Sequence, residues 1–527
     1  MTDPQVVVAG GGPVGLAAAV ELGRRGIRVL VVEPRTTVSH ARPRCKTVNV
    51  RTMEHLRRWG IADDLRTRAP LPADRSQDIV FCTTLTGREL SRFTGVLGLV
   101  PDGDRFPELG QQAPQYVLEE LLRDTVRSLP TCTLATGWSL TRAGQDPDAV
   151  TVELTGPDGG TRTVTCDYLL GCDGPRSTVR EQIGARYDGE HALRPNFGMV
   201  FHAPALEVEV RHGPAVQYWV VNRDCPALLG PIDTDGTWWM IAFGVDRETG
   251  ERRAEELIDA AVGRPTAATV LSTDPWTARM QIADRMREGR IFLAGDAAHL
   301  NPPFGGHGLN TGIGDAVDLG WKLAAVLQGW GGPALLDSYE HERRPVQERV
   351  IREATANMAV TSPELVADDL DTDGPLGESA RRAAHLRIQD TKTAEFHALD
   401  LVIDIRLESS PVISGATDTP GTTGTTAGQR LPHARIGPRS LYDLLGPGFT
   451  LLCLTDTATR DAALLADAAK RRHVPLDVLD LSGSGLRHHL GTDLLLVRPD
   501  QYVAWAGDHL PDPDRLVEHA TGGPASV

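Results

Sequence analysis

The segment from Val6 to Glu33 constrains the fold of this chain more than any other part of the sequence. Its apolar run at 6–9 predicts a buried strand, the glycine-rich turn that follows opens a helix, and the apolar run at 27–32 predicts a second strand. A strand, a helix and a second strand connected in this way form a βαβ unit, whose strands lie parallel in one sheet. The N-terminal part of the chain therefore predicts an α/β domain.

The glycine turn in this segment has a specific spacing. Gly10, Gly12 and Gly15 fit the pattern Gly-x-Gly-x-x-Gly, in which the glycines permit a tight turn, a close approach to a pyrophosphate, and close packing of helix on strand. The phosphate is expected near Pro13 at the helix N-terminus, where free N–H groups favour an anion. Glu33 ends the second strand, where a carboxylate accepts a hydrogen bond from a ribose hydroxyl. The turn predicts a site for FAD or NAD; an ordinary tight turn is the alternative.

Composition limits the class of protein. A length of 527 residues predicts two or three domains, and a net charge of −16 argues against nucleic acid or an anionic membrane surface as a partner. No apolar run approaches the ~20 residues of a transmembrane helix, and Met1–Asp3 lead directly into the first strand, so we expect neither membrane integration nor a signal peptide. The seven cysteines form no Cys-x-x-Cys pair, which predicts thiols in a reducing cytoplasm, without disulfides or a zinc site.

A second segment repeats the order of a buried strand followed by aspartate and glycine. The buried strand predicted within 167–172 leads into Asp173 and Gly174, and the helix start that follows carries Ser177 and Arg180. Because an Asp-Gly pair occurs at many strand ends, this segment predicts little by itself.

A third segment spans residues 291–310. Its buried strand ends at Asp296, a glycine-rich loop follows, and a helix begins near Asn310. The positive end of such a helix stabilises a planar ligand that becomes anionic, by up to ~2 kcal/mol, and Asp296 can accept hydrogen bonds from a chain of hydroxyls. His299 and His307 are candidates for catalysis, although a structural or lining role is favoured for both.

Between about 185 and 280 the apolar period shifts to two, which predicts an antiparallel sheet. Among the aromatic residues that it carries are Tyr218, Trp219, Trp238, Trp239 and Phe243. One face of this sheet can cover an apolar substrate, although packing in the sheet's own core is the favoured alternative for each single residue. Farther on, residues 409–429 are rich in Ser, Thr, Gly and Pro and predict a long connection to a compact C-terminal α/β unit.

Together the three segments resemble those of the single-component FAD-dependent aromatic monooxygenases, which include para-hydroxybenzoate hydroxylase, phenol hydroxylase and hydroxylases of polyketide and indolocarbazole biosynthesis. The resemblance covers nearly the whole chain. It implies non-covalent FAD, NAD(P)H as co-substrate, O2 and an aromatic small-molecule substrate, with antibiotic biosynthesis as a typical setting. The cofactor-binding residues that it implies are Gly10, Gly12, Pro13, Gly15, Glu33, Arg44, Gln115, Asp173, Gly174, Arg180, Gly295, Asp296, Pro303, Gly305, Gly306, Gly308, Leu309 and Asn310. The candidates for substrate contact are Tyr218, Trp219, Trp239, Phe243 and His307.

The resemblance also implies the fold: an α/β chain with a Rossmann-like FAD-binding domain, an interleaved antiparallel-sheet substrate domain and a C-terminal thioredoxin-like domain. The expected ranges are 1–75, 105–184 and 281–407 for the FAD-binding domain, 76–104 and 185–280 for the substrate domain, 408–430 for a linker and 431–527 for the thioredoxin-like domain. That last domain contains one cysteine, Cys453. A single thiol excludes thioredoxin chemistry and leaves packing or homodimer formation as its role.

In enzymes of this kind NAD(P)H reduces the flavin, O2 adds at C4a, and the resulting C4a-hydroperoxyflavin transfers one oxygen atom to an activated ring. Aromatic hydroxylation is therefore the expected reaction. A Baeyer–Villiger or epoxidising monooxygenase remains an alternative, as does a flavin-binding regulatory protein without turnover. The Trp-x-Trp-x-Ile-Pro segment of flavin halogenases does not occur in the sequence. Lys46 stands where some relatives have glycine near the flavin, and no residue matches the phenol-activating tyrosines of para-hydroxybenzoate hydroxylase, so no general base is assigned.

Overall fold

The chain folds around three larger sheets, as a computed structural model describes for residues 3–414 and 424–523. The strands are β1 (Val6–Ala9), β2 (Val29–Glu33), β3 (Thr47–Val48), β4 (Ile79–Cys82), β5 (Glu89–Phe93), β6 (Gln111–Gln112), β7 (Cys132–Thr136), β8 (Ser139–Gln145), β9 (Val150–Thr155), β10 (Thr161–Cys166), β11 (Tyr168–Gly171), β12 (Tyr187–His202), β13 (Gln217–Val220), β14 (Ala227–Pro231), β15 (Thr237–Phe243), β16 (Thr269–Ala283), β17 (Arg287–Glu288), β18 (Ile291–Leu293), β19 (His299–Leu300), β20 (Arg435–Ile436), β21 (Arg439–Ser440), β22 (Phe449–Cys453), β23 (Leu476–Asp480), β24 (Leu494–Val497) and β25 (Val503–Gly507).

The α-helices are α1 (Pro13–Gly23), α2 (Val50–Trp59), α3 (Ala62–Arg68), α4 (Gln115–Ser128), α5 (Thr178–Gln182), α6 (Leu206–Glu209), α7 (Arg247–Val262), α8 (His307–Leu327), α9 (Pro333–Ala359), α10 (Ser362–Leu365), α11 (Pro375–Phe396), α12 (Leu399–Ile403), α13 (Thr459–Arg471), α14 (Leu486–Leu490) and α15 (Pro513–Ala520). Short 3-10 helices span Gly295–Ala297, Phe304–Gly306, Leu441–Leu444, Asp456–Ala458 and Ser482–Ser484. None of the helices within the described ranges is long and apolar enough to cross a membrane.

The first sheet contains the βαβ unit predicted from the N-terminal segment. Its order is β17-β18-β11-β1-β2-β7, with the strands from β18 to β7 parallel and β17 antiparallel at one edge. The side chains of β1 are buried, because a parallel sheet of this kind is covered on its faces. Helix α1 packs on α8, and Val14 lies against both Gly295 and Gly312. This packing brings the first turn of α8 to the same end of the sheet as the glycine turn.

The second sheet has the order β19-β16-β12-β15-β14-β13-β4-β5. It is antiparallel as predicted, except that β4 pairs with β13 in parallel. Successive side chains alternate between its faces. Tyr218 and Trp238 therefore pack with α7 in one core, whereas Trp219, Trp239 and Phe243 face the opposite side.

The third sheet, in the order β23-β22-β24-β25, lies in the C-terminal part of the chain. Strands β22 and β23 are parallel and the other pairs are antiparallel. Cys453, at the end of β22, is a buried free thiol. The mixed sheet and its helices fit the predicted thioredoxin-like unit. The domain boundaries themselves stay predictions, and residues 415–423 of the predicted linker lie outside the described residues.

Candidate active site

The turn between β1 and α1 has the geometry predicted for Gly10 and Gly15, while the approach of Gly12 to a pyrophosphate stays a prediction. Gly10 adopts a φ of +101°, and a Cβ atom there would lie 2.3 Å from the Cys172 carbonyl oxygen. A Cβ on Gly15 would lie 2.0 Å from the Gly10 carbonyl oxygen, whereas one on Gly12 would meet no described atom within 4 Å. Within the described ranges no side chain caps α1. The first N–H groups of α1 are thus available to an anion beside Gly12.

Glu33 is buried at the end of β2 and holds the glycine turn in place. Its Oε2 accepts a hydrogen bond from the Gly11 N–H at 2.8 Å, and its Oε1 accepts from Arg35 Nε at 2.7 Å. Both Glu33 and Arg35 line the main cavity. The carboxylate therefore fixes the turn, and its contact with a ribose hydroxyl stays a prediction.

The Asp173–Gly174 turn lies at the end of β11, next to β1 in the sheet. Asp173 Oδ2 accepts from the Val179 N–H at 3.1 Å, and burial raises the pKa of this carboxyl. Its Oδ1 is buried without a hydrogen-bond partner among the described residues. Arg180 is not on the cavity wall: it donates to the carbonyls of Pro175 and Ala297, both at 3.3 Å. Arg180 thus connects the second predicted segment to the third on the side away from the cavity.

Beneath the third segment lies a buried network centred on Asp315 of α8. This carboxylate accepts from the Gly295 N–H at 3.1 Å, His299 Nε2 at 2.8 Å and Arg343 Nε at 2.8 Å. Although burial alone would raise the pKa of Asp315, Arg343 and His299 outweigh it and hold the pKa at about 2. His299 is therefore engaged in supporting the loop, in agreement with the structural role favoured from sequence.

Asp296 itself points to the cavity. Its side chain is accessible there. Partial loss of hydration inside the cavity raises the pKa of the carboxyl, and His299 and Arg44 oppose this effect. The loop that follows turns through Gly305 and Gly306, with φ values of +80° and +69°. No side chain among the described residues caps α8, which leaves its first N–H groups available toward this loop.

Asn310 has a supporting role behind the loop. Its Oδ1 accepts from the Asn49 N–H at 2.9 Å and from Thr52 Oγ1 at 2.8 Å, and its Nδ2 donates to the carbonyls of Thr47 and Gly306. It does not line the cavity. The side chain therefore ties the loop before α8 to the segment around β3.

One cavity of about 1100 Å³ joins these elements and extends under the aromatic face of the second sheet. The predicted cofactor residues on its wall are Gly10, Gly12, Pro13, Glu33, Arg44, Gln115, Asp173, Gly174, Asp296, Pro303, Gly305, Gly306, Gly308 and Leu309. Gly15, Arg180, Gly295 and Asn310 stand behind this wall. The cavity has two helix N-termini without capping side chains among the described residues and an exposed aspartate, and its volume exceeds the usual range of single-ligand pockets. It therefore fits FAD together with a substrate.

The predicted substrate residues are divided between two environments. Trp219, Trp239 and Phe243 line the cavity. Tyr218 does not, because it lies on the opposite face of β13 and its hydroxyl donates to the Gly213 carbonyl. His307 is also off this wall: it is buried behind Gly305, and burial lowers its pKa to about 4.

Several wall residues were missed from sequence. Phe304, Glu395 and Phe396 complete the aromatic end, with ring centroids of Phe304 and Phe396 each 6.2 Å from that of Trp219. Phe304 lies within the glycine-rich loop, so that motif could have been used to predict it. Glu395 and Phe396 end α11, where the sequence offers no local signal.

Comparison with known proteins agrees with this geometry. A model described as the FAD binding domain matches residues 3–354, and one described as the C-terminal part of aromatic-ring hydroxylases matches residues 424–522. The chain is 36% identical to 12-dehydrotetracycline 5-monooxygenase/anhydrotetracycline 6-monooxygenase of Streptomyces rimosus, over 95% of this chain and 94% of that protein. It is 33% identical to aklavinone 12-hydroxylase of Streptomyces purpurascens, over 96% of each chain. The solved structure of the rebeccamycin biosynthetic enzyme RebC with reduced flavin superposes with a TM-score of 0.89 and 35% identity, over 98% of this chain and 99% of that one.

Proposed function

The chain belongs to the FAD-dependent aromatic-ring hydroxylases, and on that basis we propose that it hydroxylates a polycyclic phenol with O2 as the oxygen donor. It is a flavoprotein monooxygenase that uses FAD and NAD(P)H. In the proposed reaction the substrate, O2, NAD(P)H and a proton yield the hydroxylated substrate, water and NAD(P)+. The observation that carries the proposal is a continuous cavity that joins the glycine turn to an aromatic wall.

We assign the cofactor end of the cavity to the residues around the two uncapped helix starts. Bound FAD would supply the redox chemistry, because it can accept hydride from NAD(P)H and activate O2. The N-terminus of α1 beside Gly12 would hold the pyrophosphate, Glu33 the adenosine ribose, and Asp296 the ribityl hydroxyls. The N-terminus of α8 faces the loop at Gly305 and would stabilise negative charge that develops on the ring system.

The substrate end is assigned to the aromatic wall. Trp219 and Phe243 lie with ring centroids 6.0 Å apart, and Phe304 and Phe396 close the same cluster. Such a wall binds a flat ring system by burial of apolar surface and excludes water from it. The names of two relatives contain anhydrotetracycline and aklavinone, which supports a fused-ring phenolic substrate for this chain as well.

The test is oxygen labelling with a panel of polycyclic phenols. A compound that accelerates NAD(P)H consumption is incubated under ¹⁸O2, and the product is analysed by mass spectrometry. We expect one labelled atom in a new ring hydroxyl and the other in water. Label in a lactone would instead indicate Baeyer–Villiger oxidation, and label in an epoxide would indicate epoxidation. If no compound takes up label and all O2 appears as peroxide, the proposed function is wrong.

A further inference from the structure

Lys46 differs from the other three lysines of the chain. Lys322 and Lys392 are buried and bond a carboxylate at 2.7 Å and 2.6 Å respectively, and Lys470 is exposed on α13. Lys46 is half-buried on the cavity wall, just before β3. Its charge is offset by no carboxylate among the described residues. It is therefore a cation inside the cavity without a counter-ion in the described part of the chain.

The surroundings of this ammonium group are aromatic. Lys46 Nζ lies 3.9 Å from the centroid of the Trp239 ring, one of the walls of the substrate end. A cation over an indole face is attracted by the ring, but this attraction only partly replaces hydration. Burial lowers the pKa of Lys46 to about 8, and the thiol of Cys45 is the single titratable neighbour whose charge contributes to that pKa.

Two carboxylates of the cavity wall, those of Glu395 and Asp274, already have partners. Glu395 Oε2 accepts from Lys392 at 2.6 Å, and Asp274 lies 3.2 Å from Arg42. Neither contributes to the pKa of Lys46. An anion that enters the aromatic end can therefore pair with Lys46, on which no carboxylate of the described residues acts.

We propose that Lys46 binds the ionised hydroxyl, the phenolate oxygen, of the aromatic substrate. This inference rests on the proposed function, which places a phenol against the wall that contains Trp239. The phenol gives its proton to solvent, and the ammonium group pairs with the resulting oxyanion. A phenolate ring is richer in electrons than the neutral phenol, so Lys46 both positions the ring and favours the form that an electrophilic oxygen attacks. The same residue would discriminate against ethers, which cannot ionise.

The first experiment measures the ionisation of Lys46 directly in the FAD-loaded protein. Because the chain has four lysines, [ε-¹³C]lysine labelling yields few NMR signals, and K46R identifies the one that belongs to Lys46. We expect this signal to titrate near pH 8 in the free protein. Alizarin, a hydroxyanthraquinone, should shift the titration to higher pH, whereas its dimethyl ether should not. An unchanged titration with bound alizarin overturns the inference.

The second experiment compares the affinities of variants for the same two compounds. K46M should bind alizarin at least tenfold more weakly and its dimethyl ether with little change, while K46R should retain the preference for alizarin. Binding by the wild type should weaken above about pH 8, where Lys46 loses its proton, and K46R should lack this alkaline limb. K470M, on the exposed face of α13, is the matched control and should behave as wild type. FAD content reports the folding of each variant.

The outcomes separate this inference from the proposed function. If K46M keeps the preference for alizarin, or if the wild type binds alizarin no better than the ether, Lys46 does not bind a phenolate. Label incorporation from ¹⁸O2 into a phenol would then still support the proposed function. Failure of every phenol in the panel to bind or to take up label would refute both.

Discussion

Replacement of Arg498 by methionine tests how the C-terminal unit is held on helices α8 and α9. The Arg498 guanidinium is fully buried and donates hydrogen bonds of 2.6–3.1 Å to Asp318, Glu342 and Asp500. Lys322 Nζ donates to Asp318 at 2.9 Å and to Glu342 at 2.7 Å. Three carboxylates therefore share two cations in one buried cluster.

The size of the effect follows from what the substitution leaves behind. Hydrogen bonds to charged groups contribute about 1.5–3 kcal/mol each. Their sum is larger than the net loss of stability, because the substitution by methionine also removes the cost of burying a guanidinium. The relevant case is a buried ion pair that loses one partner, which costs about 3–5 kcal/mol. We expect R498M to lower the free energy of unfolding by that amount.

This loss should depend on pH. Although burial raises the pKa values of Glu342 and Asp500, Arg498 outweighs it and holds both below their ordinary values. In R498M these pKa values rise, so the folded variant binds protons that the unfolded chain releases above about pH 4–5. Its stability therefore falls as pH rises, and the deficit relative to wild type should be larger at pH 8 than at pH 5.

Urea unfolding followed by circular dichroism at both pH values measures these free energies. The control is R471M, which removes an exposed pair in the same unit, Arg471 with Asp514 at 2.8 Å, and should cost less than about 1 kcal/mol. The reasoning is refuted if R498M loses no more than R471M, or if its deficit is the same at both pH values.

Four further outcomes are expected at the cofactor site and in the C-terminal unit. The purified protein should be yellow, and acid or heat should release intact FAD; flavin that stays with the precipitated chain contradicts non-covalent binding. D296A should weaken FAD binding by about 1–3 kcal/mol, roughly 5- to 150-fold, in a fluorescence titration, because a hydroxyl acceptor is lost, while D158A in an exposed turn should bind FAD normally. E33Q should also weaken FAD binding, since the amide has one acceptor oxygen where the carboxylate uses two, one for Gly11 and one for Arg35; wild-type affinity in both D296A and E33Q would contradict our placement of the cofactor. C453S should leave substrate turnover unchanged, because a buried lone thiol cannot cycle as a dithiol, and a marked loss of activity with an unaltered fold would argue for a redox role.

Local sequence was sufficient to predict the backbone of the cofactor end. The positive φ of Gly10 and the contact of Gly15 with the Gly10 carbonyl are steric requirements within a few residues, so the glycine spacing reports them directly. The fold class followed from the same segment, because its periodicity already indicates buried strands and a helix. The family resemblance agreed with both and was confirmed by the comparisons.

Long-range packing settled which side chains share the cavity. Tyr218 and Trp219 are neighbours in sequence, but the register of β13 turns one into the core with α7 and the other toward the cavity. Arg180 and Asn310 were predicted at the cofactor, yet the structure uses both to tie loops together. Each has at least one partner from a segment more than a hundred residues away, such as Ala297 for Arg180 and Thr47 for Asn310, and no local pattern encodes such contacts. Lys46 shows the same limit: its contact with Trp239 forms only once the fold brings β3 and β15 together, and only the structure shows that no carboxylate of the described residues acts on it.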